Sequence, residues 1–167
     1  MTMTTDKTKL YETRLDLGTE VREKVVPLLN QTLATTLDLK TQTKQAHWNV
    51  KGLDFFQLHE LFDEMAGELE EYVDMVAERV TALAGVAYGT ARVAANASVL
   101  SEYPLDAVLG SEHIAALADA YAAYGKHVRA AIDLTDQLGD ADTADLYTEI
   151  SRTIDKRLWF LEAHLAT

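Results

Sequence analysis

The stretch LHELFDEMAGELEEYVDMVAERVTALAG, from Leu58 to Gly85, decides how this chain folds. At about 100° per residue, its apolar side chains fall within about 120° of one another around a helix, so one face is suited to burial. That face comprises Leu58, Leu61, Phe62, Met65, Leu69, Tyr72, Val73, Val76 and Val80. We therefore predict a helix from about Asp54 to Leu83 that packs inside a helical bundle.

The same helix carries a second stripe, of potential metal ligands, beside its apolar face. Measured from His59, Asp63 lies at about 40°, Asp74 at about 60° and Glu78 at about 100° around the axis. His59 and Asp63 are about one turn apart, as are Asp74 and Glu78, so each pair can close on one ion. Because the two pairs are separated by about 16 Å along the helix, one chain cannot bring both to the same metal.

A second copy of the chain would overcome this separation. A two-fold axis crossing the helix near position 68 would set each pair opposite the other pair of an antiparallel copy, giving two equivalent sites about 22 Å apart. Gly67 lies near that axis, where its missing side chain would allow close approach. His47, near the end of the preceding helix, could add a second imidazole. On spacing alone, these residues could equally be ordinary surface or core side chains.

Long helices are also predicted on both sides of this stretch. The first begins near Thr19 and ends at about Val50, and Pro27 either kinks it or marks its true start. Residues 1–17 before it are polar and mixed in charge, as in a tail or a loosely docked arm.

After the second helix, residues 85–110 form a long connection in which the segment PLDAVL (104–109) is expected to make a short helix. Ser111 is placed to cap a third helix that runs to about Leu138, and a fourth covers roughly Asp142 to His164. Two helical hairpins joined by one long connection predict an all-α, ferritin-like four-helix bundle over residues 18–167.

Composition limits the chemistry. The 167 residues include no cysteine, so a metal must be held by His, Asp and Glu, which suits iron, manganese or zinc. The net charge of -12 disfavours nucleic acid as the main partner. With no long apolar run and no leader-like segment at the N-terminus, we expect a soluble cytoplasmic protein.

Several motifs together resemble one family. KQAHWNVKG (44–52) and the stretch from Leu58 to Gly85 are similar to the two signatures of the Dps miniferritins, the DNA-protection-during-starvation proteins. The similarity continues through GVAYGT, YPLD and DADTAD to IDKRLWFLEAHL, and so covers nearly all of the chain after the tail. The resemblance implies a hollow shell of twelve subunits that oxidises Fe(II) with hydrogen peroxide, stores Fe(III) and protects against oxidative damage.

The resemblance also assigns roles to individual residues. It implies that His47, His59 and Asp63 of one subunit form a ferroxidase centre with Asp74 and Glu78 of the partner subunit. Iron is the expected occupant, and zinc is a possible substitute because it accepts the same ligands.

Two further groups of residues follow from the same resemblance. Lys44 and Trp48 match positions beside the centre, where they would reach the second-metal region and quench oxidising equivalents. Packing alone would also explain Trp48. Asp140, Asp145 and Glu149 lie in the segment that resembles an acidic iron-entry pore, although a solvated helix face would explain them as well.

Other functions are weighed against this one. A nucleoid-associated protein that protects DNA by binding it would use a basic tail, but here Lys7, Lys9 and Arg14 are offset by Asp6, Glu12 and Asp16, so DNA binding is expected to be weak or absent. A di-iron oxidase with its site inside one bundle would need Glu-x-x-His motifs, and the sequence has none. A structural helical assembly without metal is the remaining alternative. The other histidines, His113, His127 and His164, are expected to be structural.

Overall fold

Four long helices and one short helix form the fold of the computed structural model, which describes residues 8–166. The elements are α1 (Thr19–Asn49), α2 (Phe55–Ala82), α3 (Ala91–Ala97), α4 (Gly110–Gln137) and α5 (Ala141–Leu165). Helices α1 and α2 pair as one hairpin and α4 and α5 as another, with α3 in the long crossover lying against α1. The predicted all-α four-helix bundle with an extra helix in the crossover is therefore confirmed.

The core lies between the two hairpins and is built from the apolar stripes that the sequence shows. On α2 the buried residues include Leu58, Phe62, Met65, Leu69 and Val76, all members of the predicted face. The rest of the core comes mainly from Val25, Leu29, Leu33, Leu39, Leu117, Val128, Ile150, Ile154 and Leu161. Burial of these side chains leaves the ligand stripe of α2 at the edge of the bundle.

Two turns depend on glycine. Gly52, between α1 and α2, has φ 117°, and Gly139, between α4 and α5, has φ 82°. Side chains other than hydrogen are strained in this left-handed region, so glycine lets each hairpin reverse within a few residues. The first of these turns brings His47 and His59 to the same end of the α1–α2 hairpin.

The short crossover helix does not lie where the sequence predicted it. Instead of PLDAVL, residues Ala91–Ala97 form it, capped by Thr90, whose hydroxyl accepts a hydrogen bond from the Val93 amide at 3.4 Å. Residues 104–109 make a turn and then a bridge to the α1–α2 corner, where the Lys51 amide donates to the Val108 carbonyl at 3.0 Å. That backbone pairing takes the place of helix formation.

Two helix starts also differ from expectation. Helix α4 starts at Gly110, so Ser111 lies inside it and is not its cap. The side chain of Glu112 accepts hydrogen bonds from the Val108 and Leu109 amides, both at 2.8 Å, and so caps the helix start in place of serine. Pro27 lies inside α1, which starts at Thr19, so the alternative of a start at Pro27 is wrong.

The segment of residues 8–17 runs along the bundle without regular secondary structure. The Tyr11 amide donates to the Ala84 carbonyl at 2.8 Å, and the Arg22 guanidinium donates to the Leu17 carbonyl at 3.1 Å. The predicted boundary of the tail stays a prediction, and its residues Asp6 and Lys7 lie outside the described ones. Among residues 8–166, no helix is long and apolar enough to cross a membrane.

Candidate metal centre

The two predicted histidine ligands lie face to face across the α1–α2 hairpin. The ring centroids of His47 and His59 are 3.8 Å apart and the planes are inclined by 20°. Nδ1 of His47 donates to the carbonyl of His59 at 2.7 Å, and Nδ1 of His59 donates to the carbonyl of His47 at 2.9 Å. Each ring is thus locked by the backbone of the residue that carries the other.

This reciprocal bonding fixes the tautomer of both imidazoles. A carbonyl oxygen only accepts, so the proton of each neutral ring must be on Nδ1 and the lone pair on Nε2. Hydrogen bonding of one ring nitrogen to a carbonyl is the usual way in which proteins orient a metal-binding histidine. Within residues 8–166, neither Nε2 makes a hydrogen bond, so both are available to a metal ion.

Asp63 joins this pair through its carboxylate. Its Oδ1 lies 3.8 Å from Nε2 of His47 and accepts a hydrogen bond from Nζ of Lys44 at 2.7 Å. The hydrogen bond and the positive charge of Lys44 hold the pKa of the Asp63 carboxyl below its usual range. Asp63 is therefore an ionised and exposed oxygen donor beside the two imidazoles.

Trp48 and Lys44 lie together on the outer side of this group. Nζ of Lys44 is 5.6 Å from the centroid of the Trp48 ring, within cation–π range. The indole is 67% exposed, so core packing does not explain its position. Spacing in sequence could place both residues on the last turns of α1, but only the structure shows that Lys44 reaches across to Asp63.

The second predicted ligand pair, Asp74 and Glu78, lies on the exposed side of α2, three and four turns beyond Asp63. Within the described part of the chain, neither carboxylate makes a hydrogen bond or an ion pair. In the same residues, no group of three or more His, Asp or Glu side chains is close enough together to hold a metal ion. The hypothesis that these two pairs of ligands meet across two subunits stays a prediction.

The three pore candidates occupy different environments. Asp140 is 3% exposed and caps α5, accepting from the Thr143 amide at 3.0 Å and from Arg79 at 2.8 Å. Asp145 and Glu149 are exposed on the first turns of α5. Of the three candidates, only Asp145 and Glu149 therefore present exposed carboxylates on the first turns of α5.

The other histidines contact residues outside the candidate metal centre. Nδ1 of His113 is 2.6 Å from the hydroxyl of Tyr103, Nε2 of His127 is 2.8 Å from Oγ1 of Thr32, and Nδ1 of His164 donates to the Phe160 carbonyl at 2.6 Å. Burial lowers the pKa of both His113 and His127, which favours their neutral forms.

Sequence reasoning missed the ion pairs that hold α2 to α5. Arg157, with a side chain only 2% exposed, donates to Glu68 at 2.6 Å and to Glu64 at 2.7 Å. At the far end of α2, Arg79 bonds Asp140 and Thr143. An arginine inside the apolar stripe of α5 was the available signal, because a buried guanidinium requires carboxylate partners.

Comparison with known proteins adds relatives of the same architecture. The ferritin-like domain family model matches residues 26–167. A DNA protection during starvation protein of Agrobacterium fabrum is 41% identical over 157 residues, covering 94% of this chain and 97% of that protein.

Two solved structures are also similar over nearly their whole length. DpsC from Streptomyces coelicolor has a TM-score of 0.92 and 32% identity, covering 100% of this chain and 97% of that one. The DPS protein from Vibrio cholerae O1, described as a member of a broad superfamily of ferritin-like diiron-carboxylate proteins, has a TM-score of 0.88 and 26% identity, covering 95% and 99%.

Proposed function

The chain belongs to the Dps miniferritins of the ferritin-like superfamily, and from this premise we propose that it oxidises Fe(II) with hydrogen peroxide at sites shared between two subunits. Family membership supports iron storage and DNA protection as its general role. The proposal adds the reaction, the residues and the assembly.

The observation that carries the proposal is the locked pair of imidazoles. His47 and His59 hold each other through their backbones and direct two Nε2 lone pairs to the side where Asp63 lies. Two imidazoles and a carboxylate are ligands that suit Fe(II). A purely structural pair of histidines would have no need to keep both Nε2 atoms unbonded at the edge of the bundle.

Completion of the site requires a second subunit. Asp74 and Glu78 lie too far along α2 to reach His59 of their own chain, and their carboxylates are exposed. In an antiparallel pair of subunits, Asp74 and Glu78 of the partner subunit would supply the missing oxygen donors. Leu53 and Phe56 are exposed apolar residues at the end of the α1–α2 hairpin that carries His47 and His59, and they would be covered in such a dimer.

Carboxylates assist the oxidation because they favour the higher charge of Fe(III) over Fe(II). Two Fe(II) ions each lose one electron, and one peroxide takes both electrons and two protons to give two water molecules. Lys44 would withdraw from Asp63 when a metal ion takes its place, and the exposed Trp48 beside it is placed to donate an electron to a stray oxidant. Zinc would fit the same ligands without redox chemistry.

We further propose that two-fold dimers assemble into a shell of twelve subunits in the bacterial cytoplasm, with Fe(III) stored inside. Asp145 and Glu149 would line the iron entry, whereas Asp140 would support it by capping α5 and pairing with Arg79. Protection of DNA by consumption of iron and peroxide is favoured over direct binding at the nucleoid, because the net charge is -12.

Complementation between two inactive variants tests the shared site directly. His59→Ala damages one half of each site and Asp74→Asn the other, so each is expected to abolish peroxide-driven Fe(II) oxidation. When the two are co-expressed, each mixed dimer holds one site with both halves intact, and random mixing should restore about a quarter of the sites. The absence of restored activity in shells proven to be mixed by mass would overturn the shared site.

A further inference from the structure

His113, in the first turn of α4, is a buried histidine that the proposed metal centre does not use. It is 1% exposed, and its Nδ1 is 2.6 Å from the hydroxyl of Tyr103 in the crossover. The two rings are nearly parallel, inclined by 17°. Within residues 8–166, Nε2 of His113 makes no hydrogen bond, so Tyr103 is the side chain that holds this imidazole in place.

Three segments of the chain close over this ring. The Asn49 carbonyl, at the end of α1, and the Val108 carbonyl, in the crossover, lie close enough to affect its pKa. The Val108 carbonyl also accepts from the Lys51 amide at 3.0 Å, which ties the crossover to the α1–α2 turn. Glu112 holds the same residue from the other side by accepting from the Val108 amide at 2.8 Å. We call residues 103–113 the α4 corner, because they turn the chain from the crossover into α4.

The ring is neutral in the closed corner. Burial lowers the pKa of His113, and this effect is larger than the opposing effects of the Glu112 carboxylate and of the Asn49 and Val108 carbonyls. The Tyr103 phenol on the crossover side is uncharged, because burial raises its pKa. Among the described residues, Glu112 is the one charged group that acts on the ring. A proton on the enclosed imidazole is therefore poorly compensated.

Exposed apolar residues lie on the corner and on the α1–α2 turn that it contacts. Leu105 is 79% exposed and Leu109 is 53% exposed, and the bridge between Leu109 and Lys51 sets the corner beside the turn. The turn and the start of α2 carry Leu53 and Phe56, which would be covered in the proposed dimer. The shape of the corner therefore affects the apolar surface that is offered to a second subunit.

We propose that His113 is an acid-sensitive latch on subunit assembly. While the ring is neutral, the α4 corner stays closed and holds the apolar surface in the shape that a second subunit covers. In acid the corner opens, the ring reaches water and takes up a proton, and the surface loses that shape. The dimers then separate, and with them the shared metal sites. The latch rests on the proposed function for its second subunit.

The direction of the pH effect follows from proton linkage. The pKa of His113 in the closed corner is below the ordinary histidine value of about 6.5, which an opened corner restores. The opened corner therefore binds more protons. Closure is fully stabilised above the ordinary value and loses stability as the pH falls below it, until the lowered pKa is reached. Within this window the opening constant rises by up to about tenfold per pH unit for each subunit.

Hydrogen exchange and assembly mass test the latch on the full-length, metal-free protein. Exchange is measured by mass spectrometry on peptides covering residues 103–113 and, for reference, 121–135 in the middle of α4, with correction for the intrinsic pH dependence of exchange. Assembly mass is measured by light scattering from about pH 8 to about pH 5 at several protein concentrations. The variants are His113→Gln, which cannot titrate, and His127→Gln, a matched control that removes another histidine of α4 whose pKa burial lowers.

In the native protein we expect the corner peptide, and not the reference peptide, to exchange faster as the pH falls below about 6.5. The dissociation constant of the assembly should rise over the same range. His113→Gln should remove the pH dependence of corner opening and weaken the rise in dissociation constant by up to about tenfold per pH unit for each subunit. His127→Gln should keep both native responses. Tyr103→Phe removes the hydroxyl that holds the ring and keeps the titrating group, so its corner should open at a higher pH than the native one.

Several results would overturn the latch. These are an acid response of His113→Gln equal to that of the native protein, a native corner whose exchange does not change with pH, and loss of the acid response in His127→Gln. If His113→Gln does not assemble at neutral pH, Tyr103→Phe decides, and a response identical to the native one would overturn the latch.

Peroxide-driven Fe(II) oxidation at neutral pH, measured on the same preparations, separates the latch from the proposed function. Acid opening and dissociation in a protein that does not oxidise Fe(II) would support the latch and overturn the proposed ferroxidase function. A corner that does not respond to acid, in a protein that oxidises Fe(II), would overturn the latch alone.

Discussion

The two ends of α2 carry potential metal ligands that differ in how their side chains are held. At the first end, His59 and Asp63 are held by His47 and Lys44 of α1, through hydrogen bonds of 2.7 to 2.9 Å. At the other end, Asp74 and Glu78 are exposed and bonded to no other described side chain. In the proposed centre, the chain therefore supplies one half with side chains already held in place, and the other half would be positioned by contact with a second subunit.

The largest effect is expected from the end of α2 that carries the unbonded carboxylates of Asp74 and Glu78. Asp74→Asn should lower peroxide-driven Fe(II) oxidation by more than about 100-fold, since losing even an outer partner of a metal ligand costs about 10- to 100-fold. Stopped-flow ferric absorbance measures the rate. Glu71→Gln is the matched control on the same helix and should be within about twofold of native, as expected of an exposed carboxylate.

Equal losses in both variants would show that the charge of α2 matters and not the identity of Asp74. In that case the difference between the bonded ligands at one end of α2 and the unbonded ones at the other would have no consequence for function.

The next effect concerns the anchor between the two ends. Arg157 of α5 forms ion pairs with Glu64 and Glu68 near the middle of α2. Arg157→Met should reduce the free energy of unfolding by about 2 kcal/mol, because it removes the charge-assisted hydrogen bonds that join α5 to Glu64 and Glu68 of α2. Denaturant unfolding monitored by circular dichroism provides the measurement.

A surface pair supplies the control for this change. Arg129 and Asp155 form a similar bond at 2.8 Å, but both side chains are about half exposed. Arg129→Met should cost about 1 kcal/mol or less. A loss as large as that of Arg157→Met would mean that burial is not what distinguishes the two arginines.

A smaller effect is expected at the end of α2 where Lys44 of α1 is bonded to Asp63. Lys44→Met removes the cation that now neutralises Asp63, so zinc affinity should rise by up to about fivefold, the range of an exposed ion pair. The pKa of Asp63, now lowered by Lys44, should rise toward its ordinary value. Since that pKa is depressed in the folded protein, the stabilisation by Lys44 is present above the ordinary pKa of aspartate and lost as pH falls through the depressed one.

Isothermal titration with zinc and NMR titration of the metal-free carboxyl would measure the two changes. Lys40→Met, which removes the neighbouring ion pair with Glu70, is the control and should alter neither quantity. Weaker zinc binding in Lys44→Met would show that the lysine supports the bound metal instead of competing with it.

The smallest effect is expected at the N-terminus. Removal of residues 1–16 should leave DNA binding in a low-salt gel-shift assay unchanged and weak, because the basic residues of this segment are balanced by acidic ones. Strong binding by the full-length chain that disappears on truncation and falls steeply with salt would instead favour the nucleoid-binding alternative.

The long helices could be predicted from sequence because each buries a continuous apolar stripe, and their observed ends lie within a residue or two of the predicted ones. The short crossover helix could not. PLDAVL has the proline start that suits a helical turn, but its backbone pairs with Lys51 at the α1–α2 corner. Such long-range pairing overrides local preference. At the start of α4 the deciding contact is itself local, because the Glu112 carboxylate accepts from the Leu109 amide.

The sequence by itself determined the fold class and predicted the types of ligand and the need for a second subunit, because helical periodicity and rise fix which residues of one helix share a face and how far apart they are. It did not determine the mutual lock of His47 and His59, the reach of Lys44 to Asp63, or the contact between His127 and Thr32. Those contacts join different helices, and their existence depends on how each helix is rotated and shifted against its neighbour. Only packing of the whole core sets that rotation and shift.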